Sequence, residues 1–290
     1  MRAILAAALM ALLVFGGGWP AAQADSELIH PATECSAPEP GPWVVDPATV
    51  AAPVGPGRPA DPGAEQRVRA ALANFLACLE DDAERVATLF TPHFIESFMN
   101  QRDYASVAPI LAGLRMTDMR ITAIRVYSDG SLSVEGSFLA YGHKLAHERW
   151  HWWPDADGFL RVNGLEPLEP AIAPTAAPVD VEVGDFYYRL DRPVVRTCDG
   201  AVVLRLHQTG GTRHEAILFR LPEGADAADL LADRVPPESI VTIAHDNGSD
   251  VISLVGLPPG TYTLMSFEPG PDGRPLALHG LTTQFTVLVK

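Results

Sequence analysis

The chain predicts an α+β block followed by an all-β sandwich. Three observations carry this prediction. Apolar residues recur at helical spacing between Glu65 and Phe98. From Met119 to Asn163 the pattern changes to period two. Beyond Val179 short strand candidates follow one another, separated by Gly- and Asp-containing turns.

The N-terminus reads as a targeting segment. Arg2 supplies a positive start, Ile4 to Phe15 an apolar run, and Ala22-Gln23-Ala24 a small-residue cleavage site. Cleavage is expected before Asp25, with an uncleaved anchor as the alternative. The apolar run is too short to span a bilayer, and no later segment is apolar enough to do so. The expected product is secreted or extracytoplasmic, and soluble. At 290 residues the chain has length for two domains. Its net charge of −15 argues against nucleic acid and against anionic membrane surfaces as partners. Lysine occurs only at Lys144 and Lys290, with Arg and Ala abundant, a composition that fits a GC-rich bacterial genome.

The cysteines are Cys35, Cys78 and Cys198, an odd number that leaves at least one thiol outside an internal disulfide. Export permits disulfides. Cys35–Cys78 is the expected pair, tying an N-terminal arm to the first helix, and Cys35–Cys198 is the alternative. That arm is proline-rich from 36 to 63 and is expected to be extended rather than helical. Trp43 is its one sticky point. A second proline-rich stretch, Glu166 to Pro178, reads as a linker.

Between them, Val68, Leu72, Phe75, Leu76 and Leu79 mark one helix. Asp82 can cap a second, carrying Val86, Leu89 and Phe90. Thr91-Pro92 can cap a third, carrying Phe94, Ile95 and Phe98. Strands are predicted over Met119–Tyr127, Ser131–Tyr141, Leu145–Trp153 and Phe159–Asn163. Further on, strands are predicted over Val179–Val183, Phe186–Leu190, Ala201–His207, Ala216–Leu221, Ser239–Ala244, Val251–Val255, Thr261–Phe267 and Gln284–Val289. Ala225 to Leu231 reads as a helical turn or two.

Helices followed by a meandering antiparallel sheet resemble the NTF2-like (SnoaL-like) fold. The residues carrying this are Ala77-Cys78-Leu79-Glu80-Asp81-Asp82 through Thr91, and the closing hairpin from Trp150 through Asp157-Gly158-Phe159 to Val162. The resemblance covers roughly 64–168. It implies a cone with an apolar pocket, used by some members as isomerases or dehydratases, and dimerisation through the sheet. The end of the chain resembles a cupredoxin. Arg213-His214-Glu215 precedes a strand, and Gly260-Thr261-Tyr262 opens the stretch that holds the remaining ligands in that family. His214 falls where the first copper ligand belongs. Ser266 falls on the thiolate position, Leu276 on the second His and Leu281 on the axial Met. Without a thiolate a blue-copper site cannot form. A displaced site using His214, His279, His245 and Met265 is the metal alternative.

The expected organisation is a signal peptide (1–24), a Pro-rich arm (25–63), an NTF2-like α+β cone (64–168), a Pro-rich linker (169–178) and an all-β cupredoxin-like sandwich (179–290). No catalytic set is legible and no cofactor is expected. His143, His147 and His151 lie in a strand, where four residues span about 13 Å, too far for one ion. Alternation puts His147, Arg149 and His151 on a solvated face. The pocket candidates are His93 and Tyr104 from the helical part and Glu148, which shares a strand face with Trp150; Glu135 is a further carboxylate. The leading functional reading is a binding or interaction protein with a small apolar ligand or a protein partner, with a homodimer allowed. The alternatives are an isomerase or dehydratase using Glu148 or His93 with Tyr104, and a metal carrier.

Overall fold

The computed structural model describes residues 27–51, 53, 55–111, 114–212, 214–232, 234, 239–244 and 250–290. The expected signal segment, Arg213, His245 and the Asn247-Gly248 turn lie outside these residues. No described helix is long and apolar enough to cross a membrane.

Helix α1 is a single turn, Pro47–Val50. It corrects the expectation of a wholly extended arm. Proline at the first helical position gives up an N–H that needs no helical partner, and Asp46 caps the turn by accepting from the Ala48 N–H at 2.9 Å. Strand β1 is the short Arg58–Pro59. Helix α2, Pro62–Asp81, buries Val68, Leu72, Phe75 and Leu76 along one stripe. Each such side chain contributes about 1.5–3 kcal/mol by leaving water. Asp82 ends α2 and caps α3, Ala83–Ala87, accepting from the Glu84 and Arg85 N–H groups. Thr91 caps α4, Pro92–Phe98, accepting from the Phe94 N–H. Helix α5 is the turn Ala108–Leu111.

Strands β2 (Met116–Val126), β3 (Leu132–Ala140), β4 (Lys144–Pro154) and β5 (Leu160–Pro167) form an antiparallel meander. Its helix-facing side chains, including Phe138, Trp150 and Trp152, join those of α2 in one core. Phe75 meets the Trp150 ring edge-on at 5.3 Å. Arg161 is buried and closes the β4–β5 hairpin. It donates to Asp155 at 2.6 Å, to Asp157 and to the Thr88 carbonyl.

The arm is tied along its length. Cys35 and Cys78 form a disulfide across 43 positions, with Cα atoms 4.6 Å apart; Cys198 is free and exposed. Ser36 donates twice to Asn74 Oδ1, each at 2.8 Å. Trp43 donates to Glu96 at 2.9 Å and packs edge-on against Tyr104.

The remaining strands build a β-sandwich around a second core. One sheet continues the first. β12 (Val251–Leu254) pairs with β9 (Val202–Gln208), β9 runs parallel to β6 (Ala177–Gly184), and β6 pairs with β7 (Tyr187–Leu190). The facing sheet has the order β11 (Ser239–Ala244), β10 (Ala216–Arg220), β13 (Gly260–Met265), β14 (Thr282–Val289), β8 (Val194–Thr197). Period-two alternation sends Val179, Val181, Val202 and Leu204 from one sheet, and Leu218, Tyr262, Leu264 and Phe285 from the other, into the shared core. Helix α6 is Ala227–Leu231.

The two cores share a sheet. The outer edge of β4 pairs with β5 over its C-terminal part and with β12 at its start, Lys144 and Leu145 opposite Leu254 and Ser253. The Val255 N–H donates to the His143 carbonyl at 2.9 Å, and His143 Nδ1 lies 3.0 Å from the Val255 carbonyl.

Candidate functional site

A cavity of about 340 Å³ lies between the helices and the meander. Apolar side chains make most of its wall, with Phe75, Phe94, Phe138 and Trp150 from the first core and Ile252 from β12. Four polar residues interrupt the wall: Tyr141, Lys144, His147 and Glu148. Strand alternation puts Lys144, Ala146, Glu148 and Trp150 on one face of β4. Glu148 pairs directly with Gly136, and its Oε2 accepts from the Trp150 indole N–H at 2.8 Å.

Tyr141 arrives by a turn. The His143 N–H donates to the Ala140 carbonyl, and the central residues Tyr141 and Gly142 both have positive φ, 54° and 76°. Glycine takes this conformation freely, whereas for tyrosine it is strained.

Burial dominates the electrostatics here. It raises the Glu148 carboxyl above its ordinary range, against the nearby Lys144 charge and the Trp150 hydrogen bond. Burial likewise lowers the Lys144 ammonium, against the attraction of Glu148. Tyr141 is pushed up to about 12, by burial and then by the Glu148 charge. Burial thus shifts all three groups toward their neutral forms.

The other sequence candidates stand elsewhere. His93 lines a separate recess of about 230 Å³, beneath the arm. Tyr104 packs on Trp43, and burial raises its hydroxyl pKa. Neither residue lines the larger cavity, which corrects the expected grouping of Glu148 or His93 with Tyr104. Glu135 is on the opposite face of the sheet, bound to Arg149 at 2.8 Å. The solvated face expected for His147 and His151 is also partly covered. His147 borders the larger cavity and its Nδ1 lies 3.1 Å from the Glu169 carbonyl. His151 lies in the recess with His93.

In the sandwich, His214 is buried and its Nδ1 lies 2.9 Å from Glu268 Oε2. The fully buried Ser266 reaches the same oxygen at 3.4 Å. Leu276 and Leu281 are buried in the core, and His279 is held by Asp272 at 2.8 Å. A carboxylate partners the His214 Nδ1, and the neighbouring positions carry a hydroxyl and two alkyl groups. This donor set does not fit blue copper, which needs a thiolate. Among the described residues no three His, Cys, Asp or Glu side chains come together as a metal set.

No protein-family model matches the chain, and no curated protein does. Two solved structures are similar to part of it. One is dithionite-reduced auracyanin from Roseiflexus castenholzii, 18% identical, with a TM-score of 0.28 over 39% of this chain and 98% of that one. The other is auracyanin A, described as a blue copper protein, from Chloroflexus aurantiacus. It is 20% identical, with a TM-score of 0.25 over 39% of this chain and 99% of that one.

Proposed function

We propose that this chain is an exported two-domain binding protein. An NTF2-like cone, residues 64–168, holds a small ligand with an apolar body and one polar end. A cupredoxin-like sandwich, residues 179–290, is joined to it by the 169–178 linker and serves as support and partner surface, without blue-copper chemistry. The observation that carries this reading is the cavity itself, with an apolar wall broken by Tyr141, Lys144, His147 and Glu148. Sites of this kind bind through apolar contact and orient their ligand by a few polar groups.

The test is an equilibrium titration with the fluorescent probe anilinonaphthalene sulfonate. The reading expects saturable, blue-shifted emission from a single site. Ala146, on the cavity wall, is changed to Trp to fill the space, and binding then weakens by about tenfold or more, equivalent to about 1.4 kcal/mol. Absence of saturation, or equal binding by the filled variant, contradicts the reading.

One observation favours a second reading. A carboxyl held toward its protonated form beside a tyrosine in an apolar cavity is also the equipment of general acid–base catalysis. An isomerase or dehydratase would then act through Glu148 in place of the His93 and Tyr104 arrangement. Turnover of an enolisable ketone, lost in Glu148→Gln while probe binding persists, would favour this reading over pure binding.

A further inference from the structure

The larger cavity holds chemistry that simple binding does not use. Lys144 opens β4 and lines the cavity. Its backbone is fixed on both sides, by Ala140 of β3 and Leu254 of β12. Its side chain shares a strand face with the buried Ala146 and Trp150. Lysine is seldom taken into an apolar wall. The chain has 21 Lys and Arg residues, and only Lys144 and Lys290 are lysines. Arginine, the cation used almost everywhere else, cannot lose its proton in a protein. Lysine can, and the free amine is a nucleophile.

The surroundings favour the amine form. Burial is the leading influence on Lys144 and lowers its pKa. The residue nevertheless keeps accessible surface, as do Tyr141 and Glu148, so the group is desolvated without being sealed off. Tyr141 lines the same cavity from the turn before β4. Its hydroxyl pKa, pushed up to about 12, keeps it a hydrogen-bond donor at neutral pH. Glu148 shares the strand face of Lys144, and the two groups attract one another when charged. It can therefore balance a cation formed at the Lys144 nitrogen.

We infer that Lys144 captures an apolar aldehyde in this cavity as a covalent imine, with Tyr141 donating to the carbonyl oxygen and the hydrocarbon body lying against Phe75, Phe138 and Ile252. The inference rests on the reading of the cavity as a ligand site, and names the ligand's polar end as a carbonyl. The Lys144 nitrogen bonds to the carbonyl carbon, the carbon–oxygen bonds break, and both amine hydrogens leave with that oxygen as water. No electrons are exchanged with a third party, and hydrolysis reverses the capture.

The test treats the full chain with decanal and sodium cyanoborohydride at neutral pH. The reductant delivers hydride to the imine carbon and fixes the adduct as a decyl amine. Proteolysis and mass spectrometry then locate the adduct in the unsubstituted protein, so no variant has to fold. The exposed Lys290 serves as the internal comparison. The expected result is decylation of Lys144 that saturates with aldehyde, runs several-fold faster than at Lys290, and is suppressed by decanol. Lys144 left unmodified, modified no faster than Lys290, or modified equally with decanol present overturns the proposal. In that event, saturable binding of anilinonaphthalene sulfonate by the same preparation confines the failure to the imine, and its absence removes the ligand-site reading as well.

Discussion

Glu148 stands directly opposite Gly136 in the β3–β4 ladder. The absent side chain at 136 leaves the carboxyl room on a face otherwise given to Val134, Phe138, Ala146 and Trp150. Directly paired residues place their Cβ atoms only about 4.5–5.5 Å apart. A Cβ at 136 would also sit 3.0 Å from the Arg120 carbonyl and 3.4 Å from Met119 Sδ. Gly136→Val is therefore expected to destabilise the fold by about 1–3 kcal/mol, as overpacking does, and to weaken probe binding. Urea denaturation of the variant measures the first effect and probe titration the second.

Glu148 also predicts a pH dependence. Burial holds its folded pKa above the ordinary 4.5. Between those two values the folded chain retains a proton that the unfolded chain has released. The stability it contributes is fully present below the ordinary pKa and is lost as pH rises through the folded one. Glu148→Gln cannot titrate. Its melting temperature, relative to the unsubstituted protein at each pH, is expected to rise from pH 4.5 upward. A difference that stays flat with pH would show that Glu148 titrates normally.

The disulfide predicts a larger stability effect. Closing 43 positions with Cys35–Cys78 removes unfolded-state entropy worth about 4 kcal/mol in the chain-entropy picture. Cys35→Ser is expected to lower the denaturation midpoint accordingly. The arm should still dock, because Ser36, Trp43 and Asn163 hold it through separate hydrogen bonds. Retained protection of the Ser36 amide in hydrogen exchange checks the docking.

The shared sheet predicts coupling between the two cores. Val255→Pro deletes the N–H that bonds the His143 carbonyl, beside the pairing of Leu145 with Ser253. Proline cannot donate to a ladder. Calorimetry is expected to show one transition for the unsubstituted chain and two for the variant, one from each core. A single unshifted transition in the variant would show that this junction carries no coupling.

Much of the local structure was legible in the sequence. The apolar spacing from Val68 to Leu79 and the caps at Asp82 and Thr91 are effects within a few residues of chain. The alternation of β4 placed Glu148 on the face of Trp150, where both now line the cavity. Other features depend on distant partners. The Pro47–Val50 turn departs from the expected extended arm because proline breaks a helix interior but is compatible with its first position. Strand β8 offers only Val194 and Val195 as signal, and it forms because β14 runs beside it. Lys144 gave one sign, as a lysine sharing strand parity with Glu148 in a chain nearly devoid of lysine. Tyr141 gave none, since its position follows from a positive-φ turn. The pairing of β4 with β12 joins residues over a hundred positions apart, and neither strand advertises its partner.

The central claim is that the larger cavity accepts an apolar ligand. Met99 and Met116 line it, while Met265 is buried in the sandwich. With the methionine methyls labelled with ¹³C, a titration with decanol is followed by NMR. The account predicts saturable shifts at Met99 and Met116 with Met265 unmoved. Shifts absent at Met99 and Met116, or equal at all three, would contradict it.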